Sequence, residues 1–109
     1  MMLLSAARRS LAAGLAAALL LLGTAAVAAE CRDDLVASQD SLRTTRAGVD
    51  QAAEGPGKCP AHRSHYAAMI KFRDVLARCD TSKERAGRVA GLNASIDQFR
   101  KGMPAGCRP

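Results

Sequence analysis

The sequence predicts an all-α fold: a small up-down-up three-helix bundle stapled by two disulfides, after an N-terminal signal peptide. Three observations carry this reading. The chain opens on a charge-free stretch rich in alanine and leucine, its later apolar residues recur at helical spacing, and four cysteines stand at the limits of the helical stretches.

Met1 to Ser10 carries Arg8 and Arg9 and no acid. Leu11 to Ala29 follows without a charge and ends in Ala25-Ala26-Val27-Ala28-Ala29. This is the three-part form of an export signal. Small side chains at the last and third-last positions place cleavage after Ala28 or Ala29, giving a signal at 1–29 and a mature domain at 30–109. The competing reading is an uncleaved anchor, because 19 uncharged residues just suffice to cross a bilayer. Alanine and two glycines make the stretch weakly apolar, which favours cleavage. Glu30 immediately before Cys31 argues against lipid attachment. The expected location is periplasmic or secreted, with no stable membrane span once the signal is removed.

Three helices are expected in the mature part, over about 33–54, 61–78 and 82–101. The first has Asp33 and Asp34 at its positive end and Gly55-Pro56-Gly57 at its stop. Its apolar seam of Leu35, Leu42 and Val49 is thin, with Ser38, Thr45 and Ala52 at the alternate positions. The second starts near Pro60 and carries His65, Met69, Phe72, Leu76 and Cys79 on one stripe, broadened by Tyr66, Ile70 and Val75. The third opens on Thr81-Ser82-Lys83-Glu84, the pattern of a capping box, and ends at Gly102 with Pro104 beyond. Its stripe is Val89, Leu92, Ile96, Phe99 and Met103. The second stripe, continued in phase, meets Lys83, Asn93 and Asp97, so a tight turn near Asp80 separates the two helices.

The cysteines then pair by exclusion. A bridge needs alpha carbons within about 7 Å, whereas a helix rises about 1.5 Å per residue. Cys59 and Cys79 flank the second helix, Cys31 and Cys59 the first, Cys79 and Cys107 the third, and each of those pairs is too far apart. Cys31 with Cys79 and Cys59 with Cys107 is the connectivity left, and it imposes the up-down-up order. An oxidising compartment and a small core both favour disulfides over metal ligation, and there is no C-x-x-C pair.

The chain has 16 Lys and Arg against 10 Asp and Glu; removing Arg8 and Arg9 leaves a net charge of about +4. Many basic residues stand one turn from an acid, as in Arg46 and Asp50, Asp74 and Arg78, Glu84 and Arg88, which fits a solvated surface. The densest basic neighbourhood is Arg85 and Arg88, with Arg78 and Lys83 nearby. An envelope protein or an anionic surface component is the expected partner there. Nucleic acid is excluded by export and by having only Tyr66, Phe72 and Phe99 for stacking.

His62, His65 and Met69 stand at i, i+3 and i+7, a helix face whose imidazoles and thioether suit copper. The competing assignment puts His65 and Met69 in the core seam and His62 at its edge. Gly87 and Gly91 read as a close approach of a neighbouring helix. Asn93-Ala94-Ser95 fits a glycosylation acceptor, relevant only to a eukaryotic secretory pathway. Catalysis has no support: Ser64 points away from its neighbouring histidines, and Gly55-Pro56-Gly57 follows a helix rather than a strand. The expected function is therefore that of a non-catalytic interaction protein of the bacterial periplasm or envelope. It needs no cofactor and uses the outer face of the bundle, there being no room for an enclosed pocket. The alternative is a carrier of a small ligand or copper on the His62, His65 and Met69 face.

Overall fold

The computed structural model describes the backbone of residues 2–52 and 54–109 and the side chains of residues 25–52 and 54–109. Three helices, α1 (Met2–Gln51), α2 (Lys58–Cys79) and α3 (Arg85–Gly102), are followed by a single 3-10 turn at Ala105–Cys107. Among the described residues there is no strand. The chain divides into two units, Met1–Glu30 and Cys31–Pro109. In the first, Ala25 to Glu30 are exposed. The signal-peptide assignment falls mainly on side chains outside the described residues. Among the described residues no helix is long and apolar enough to cross a membrane.

The second unit is the disulfide-stapled bundle. Cys31 bonds Cys79 and Cys59 bonds Cys107, with alpha carbons 5.4 and 5.0 Å apart. Each bridge joins residues 48 apart in sequence, and they bolt α2 at opposite ends. This is the connectivity expected from helix lengths, and it makes α2 antiparallel to both neighbours.

The apolar core is slight. Ala68, Val75, Ile96, Met103 and Cys107 are buried, and Met103 is the largest fully buried side chain among the described residues. Two polar residues are buried with them, Ser38 and His65. On α1 the side chains withdrawn from solvent include Leu35, Ser38, Leu42, Thr45 and Val49, so the thin seam and its polar fillers form one inward stripe. Ser38 and Thr45 tolerate that position because their hydroxyls bond back to the helix: Ser38 Oγ donates to the Leu35 carbonyl at 3.0 Å, and Thr45 Oγ1 lies 2.8 Å from the Ser41 carbonyl. The third stripe is inward as expected.

Several local expectations are corrected. In the full chain Asp33 and Asp34 lie inside α1, which is already helical upstream through an alanine- and leucine-rich sequence without proline. Asp34 instead receives Arg78 Nη2 from α2 at 2.7 Å. The Thr81–Glu84 capping box does not form, and α3 starts at Arg85 without a side-chain cap. The reason is Asp80: the chain leaves α2 there in an extended conformation, and its carboxylate takes the Ser82 N–H at 2.8 Å, a turn closed two residues on. Of the three expected one-turn ion pairs only Arg46–Asp50 is present, at 3.5 Å. Asp74 pairs with Arg73, Arg78 with Asp34, and Arg88 with Asp80. Tertiary neighbours outcompete partners on the same helix in the last two cases.

The α1–α2 turn uses Gly55 at φ +148°, a backbone state that L side chains rarely adopt. The closing segment is tied down by Arg63, which donates through Nε to the Cys107 carbonyl at 3.0 Å and through Nη2 to the Gly106 carbonyl at 3.3 Å. Gly87 and Gly91 are exposed, and a Cβ at either would meet nothing within 4 Å among the described residues. The expected close helix approach at these glycines is therefore absent; they lie off the buried face of α3.

Candidate functional site

An open groove of about 600 Å³ runs over the middle of the bundle. Its floor belongs to α2, from His65, Met69 and Phe72, and Leu92 of α3 borders it. From α1 come Leu42 and Ala47, with Arg43, Arg46 and Asp50 on the polar side. The groove is apolar below and charged along one edge because α1 alternates between its thin seam and its solvated face every turn. It is a cleft and not an enclosed cavity. A smaller, more polar depression of about 250 Å³ lies along α1 and α2 between Asp34, Ser38, Ser41, Lys71 and Arg78.

His65 is the most constrained polar group in the groove, with only 6% of its surface exposed. Thr45 Oγ1 stands 2.8 Å from its Nδ1. The Thr45 hydroxyl also reaches the Ser41 and Leu42 carbonyls, 2.8 and 3.2 Å away, which can only accept; a hydroxyl that donates to them offers its oxygen to the imidazole. That arrangement selects the Nδ1–H tautomer of His65, with the lone pair on Nε2. Desolvation lowers its pKa below the usual imidazole value, and the Arg46 charge lowers it further, against an upward pull from Asp50. Burial thus favours the neutral ring. Phe99 of α3 packs edge-on against it, with centroids 5.0 Å apart.

His62 is committed elsewhere. Its Nδ1 donates to the Lys58 carbonyl at 2.8 Å, and its ring stacks on Phe99 at 5.8 Å. The His62, His65 and Met69 face is thus divided: His65 and Met69 border the groove and His62 does not. A soft metal ion would find two donors there, His65 Nε2 and the Met69 thioether. Among the described residues no group of three or more His, Cys, Asp or Glu side chains is gathered to hold a metal ion.

The basic neighbourhood on α3 is also altered. Arg88 gives Nη1 to Asp80 at 3.2 Å, and Ser82 and Arg88 together hold that carboxyl below the usual carboxylate range, the Ser82 bond contributing most. Arg85 is exposed. Asn93, the residue of the glycosylation pattern, lies within α3 and accepts from Arg73 Nη1 at 3.1 Å.

Sequence reasoning missed Arg43 and treated Thr45 and Arg46 as filler and surface. A hydroxyl on the apolar seam of one helix and a histidine on that of the next was the available signal. It becomes specific only when the register between the helices is known.

No family model, no curated protein and no solved structure matches this chain.

Proposed function

We propose that this chain is a small exported binding protein without catalytic activity, working in a bacterial periplasm or envelope. Its stapled helices would hold an open recognition surface there. The observation that carries the reading is the groove: an apolar floor and a cationic edge on a scaffold whose buried core is too slight to be rigid unaided. Two disulfides supply the rigidity and suit an oxidising compartment. The division of the chain at Glu30 and Cys31 falls within two residues of the expected cleavage after Ala28 or Ala29. After such a cut Glu30, Asp33 and Asp34 would stand in or beside the first turn of α1, where the helix dipole favours acids.

The test is native mass spectrometry of the protein recovered from the exported fraction of its own cells. N-terminal sequencing should begin at Ala29 or Glu30. A noncovalent adduct should leave on denaturation, chemically unchanged on repeated rebinding. Retention of residues 1–29 would overturn the export reading, and conversion of the released molecule would overturn the non-catalytic one.

A macromolecular partner on α3 is the second reading, favoured by Arg85, which has no ion pair among the described residues. Reversal of Arg85 and Arg88 to Glu should then abolish a salt-sensitive interaction with the envelope fraction.

A further inference from the structure

We propose that the groove binds an amphiphilic organic acid carrying a hydroxyl near its head group: a medium-chain 3-hydroxycarboxylate is the fitting chemistry. The proposal rests on the binding reading above and names the ligand class for that same groove.

Size comes first. The nine groove residues named above are far fewer than the roughly 20 to 30 per side of a stable protein interface, while about 600 Å³ lies in the range of small-molecule sites. The apolar lining of Met69, Phe72, Leu42 and Leu92 suits an alkyl chain.

Charge comes second. The groove's two cations have the loosest ion pairs among the described residues, Arg43 to Asp40 at 3.7 Å and Arg46 to Asp50 at 3.5 Å; the other five lie between 2.7 and 3.2 Å. Separations this long forgo the short charge-assisted hydrogen bonds of which a guanidinium is capable, so both remain able to turn to a carboxylate.

His65 supplies the third constraint. Among the described residues every side-chain N or O atom sealed from solvent has a partner. Nε2 has no hydrogen-bond partner among them, so it is not sealed from solvent, and His65 is one of the residues that line the groove. With Thr45 holding the proton on Nδ1, Nε2 is an acceptor only and calls for a donor on the ligand. Arg46 and His65 line the same groove, and the Arg46 charge acts on the imidazole, which places that acceptor close to the site of the acid group. A hydroxyl a few bonds from the carboxylate satisfies both.

Isothermal titration of the disulfide-bonded protein, below micellar concentrations, uses 3-hydroxydodecanoate, dodecanoate and dodecylammonium. Both acids should bind and the cation should not. The hydroxy acid should bind about two- to tenfold more tightly, the worth of one net hydrogen bond. Arg43→Glu with Arg46→Glu, exposed positions that leave the core untouched, should weaken both acids about tenfold or more. His65→Phe, checked for folding by circular dichroism, should erase the preference for the hydroxyl. Should that variant unfold, the same preference is read in Thr45→Val, which frees the tautomer and should diminish it. Equal binding of the cation, or indifference to the double arginine reversal, overturns the proposal. If acids do not bind but the native adduct is of another class, the binding reading stands and the acid is wrong; if no adduct exists either, both fall.

Discussion

Thr45 Oγ1 on α1 lies 2.8 Å from His65 Nδ1 on α2, fourteen residues beyond Cys31 and fourteen before Cys79. The other interface repeats the arrangement: Arg73 Nη1 meets Asn93 Oδ1 at 3.1 Å, fourteen residues beyond Cys59 and fourteen before Cys107. Antiparallel helices rise equally in opposite directions, so a bridge at one end sets the register of every later pair. From Cys31 to Thr45 and from His65 to Cys79 the chain is continuous α-helix, and fourteen residues is close to four turns, which returns both side chains to the face that holds the cysteine, about 21 Å further along. At the second bridge the same count runs through α2 from Cys59 to Arg73, while Cys107 lies beyond the end of α3 in the 3-10 turn.

Thr45→Val should leave a largely buried Nδ1–H without its acceptor and cost about 1 to 3 kcal/mol. In a domain of this size each kcal/mol corresponds to about 4 to 8 °C of Tm. Thr45→Ser should restore most of it. Nitrogen-15 shifts of the His65 ring should report a dominant Nδ1–H tautomer in the wild type and a mixture in the valine variant; identical shifts in the two would refute the assignment.

His65 should make the fold sensitive to mild acid. Its folded pKa lies below the unfolded value, so the unfolded chain takes up the proton first and acidification favours unfolding. The contribution is complete above about pH 6.5 and is lost as pH falls through the lower folded value. Facing the ring are Arg46 and Asp50 from α1 and His62 from α2, while α3 presents the uncharged Phe99. Thermal melts between pH 7.5 and 5 should fall more steeply for the wild type than for His65→Phe. Parallel curves would mean that the ring is not the sensor.

Peptide mapping should yield the Cys31–Cys79 and Cys59–Cys107 peptides and no free thiol. By loop-closure entropy each bridge contributes roughly 4 kcal/mol, although interlocking loops do not simply add. Replacing either pair by serine should therefore lower the Tm by tens of degrees. A midpoint that is unchanged after reduction would show that packing alone holds the helices.

Gly87→Ala and Gly91→Ala should each stabilise the protein by about 0.5 to 1 kcal/mol, since both lie within α3 and open space surrounds them. Destabilisation by either would indicate a neighbour against that face.

By itself the sequence determined the helical class, the phase of the seams on α2 and α3, the stop before Arg85 and the disulfide connectivity. Helical periodicity and the reach of a disulfide are local rules, so residues such as Val89, Ile96 and the four cysteines disclose them directly. The thin seam of α1 was equally visible, but its meaning was not: Ser38 and Thr45 look like interruptions until α2 is beside them. Only the tertiary structure decided that Thr45 fixes the proton of His65, that His62 turns away from Met69, that Arg78 and Arg88 leave their own helices for Asp34 and Asp80, and that Arg43 and Arg46 edge a groove. Each of those contacts joins residues whose meeting depends on the register and facing of helices. A one-dimensional pattern constrains the facing of each helix; the distance between two helices is set by every side chain packed between them.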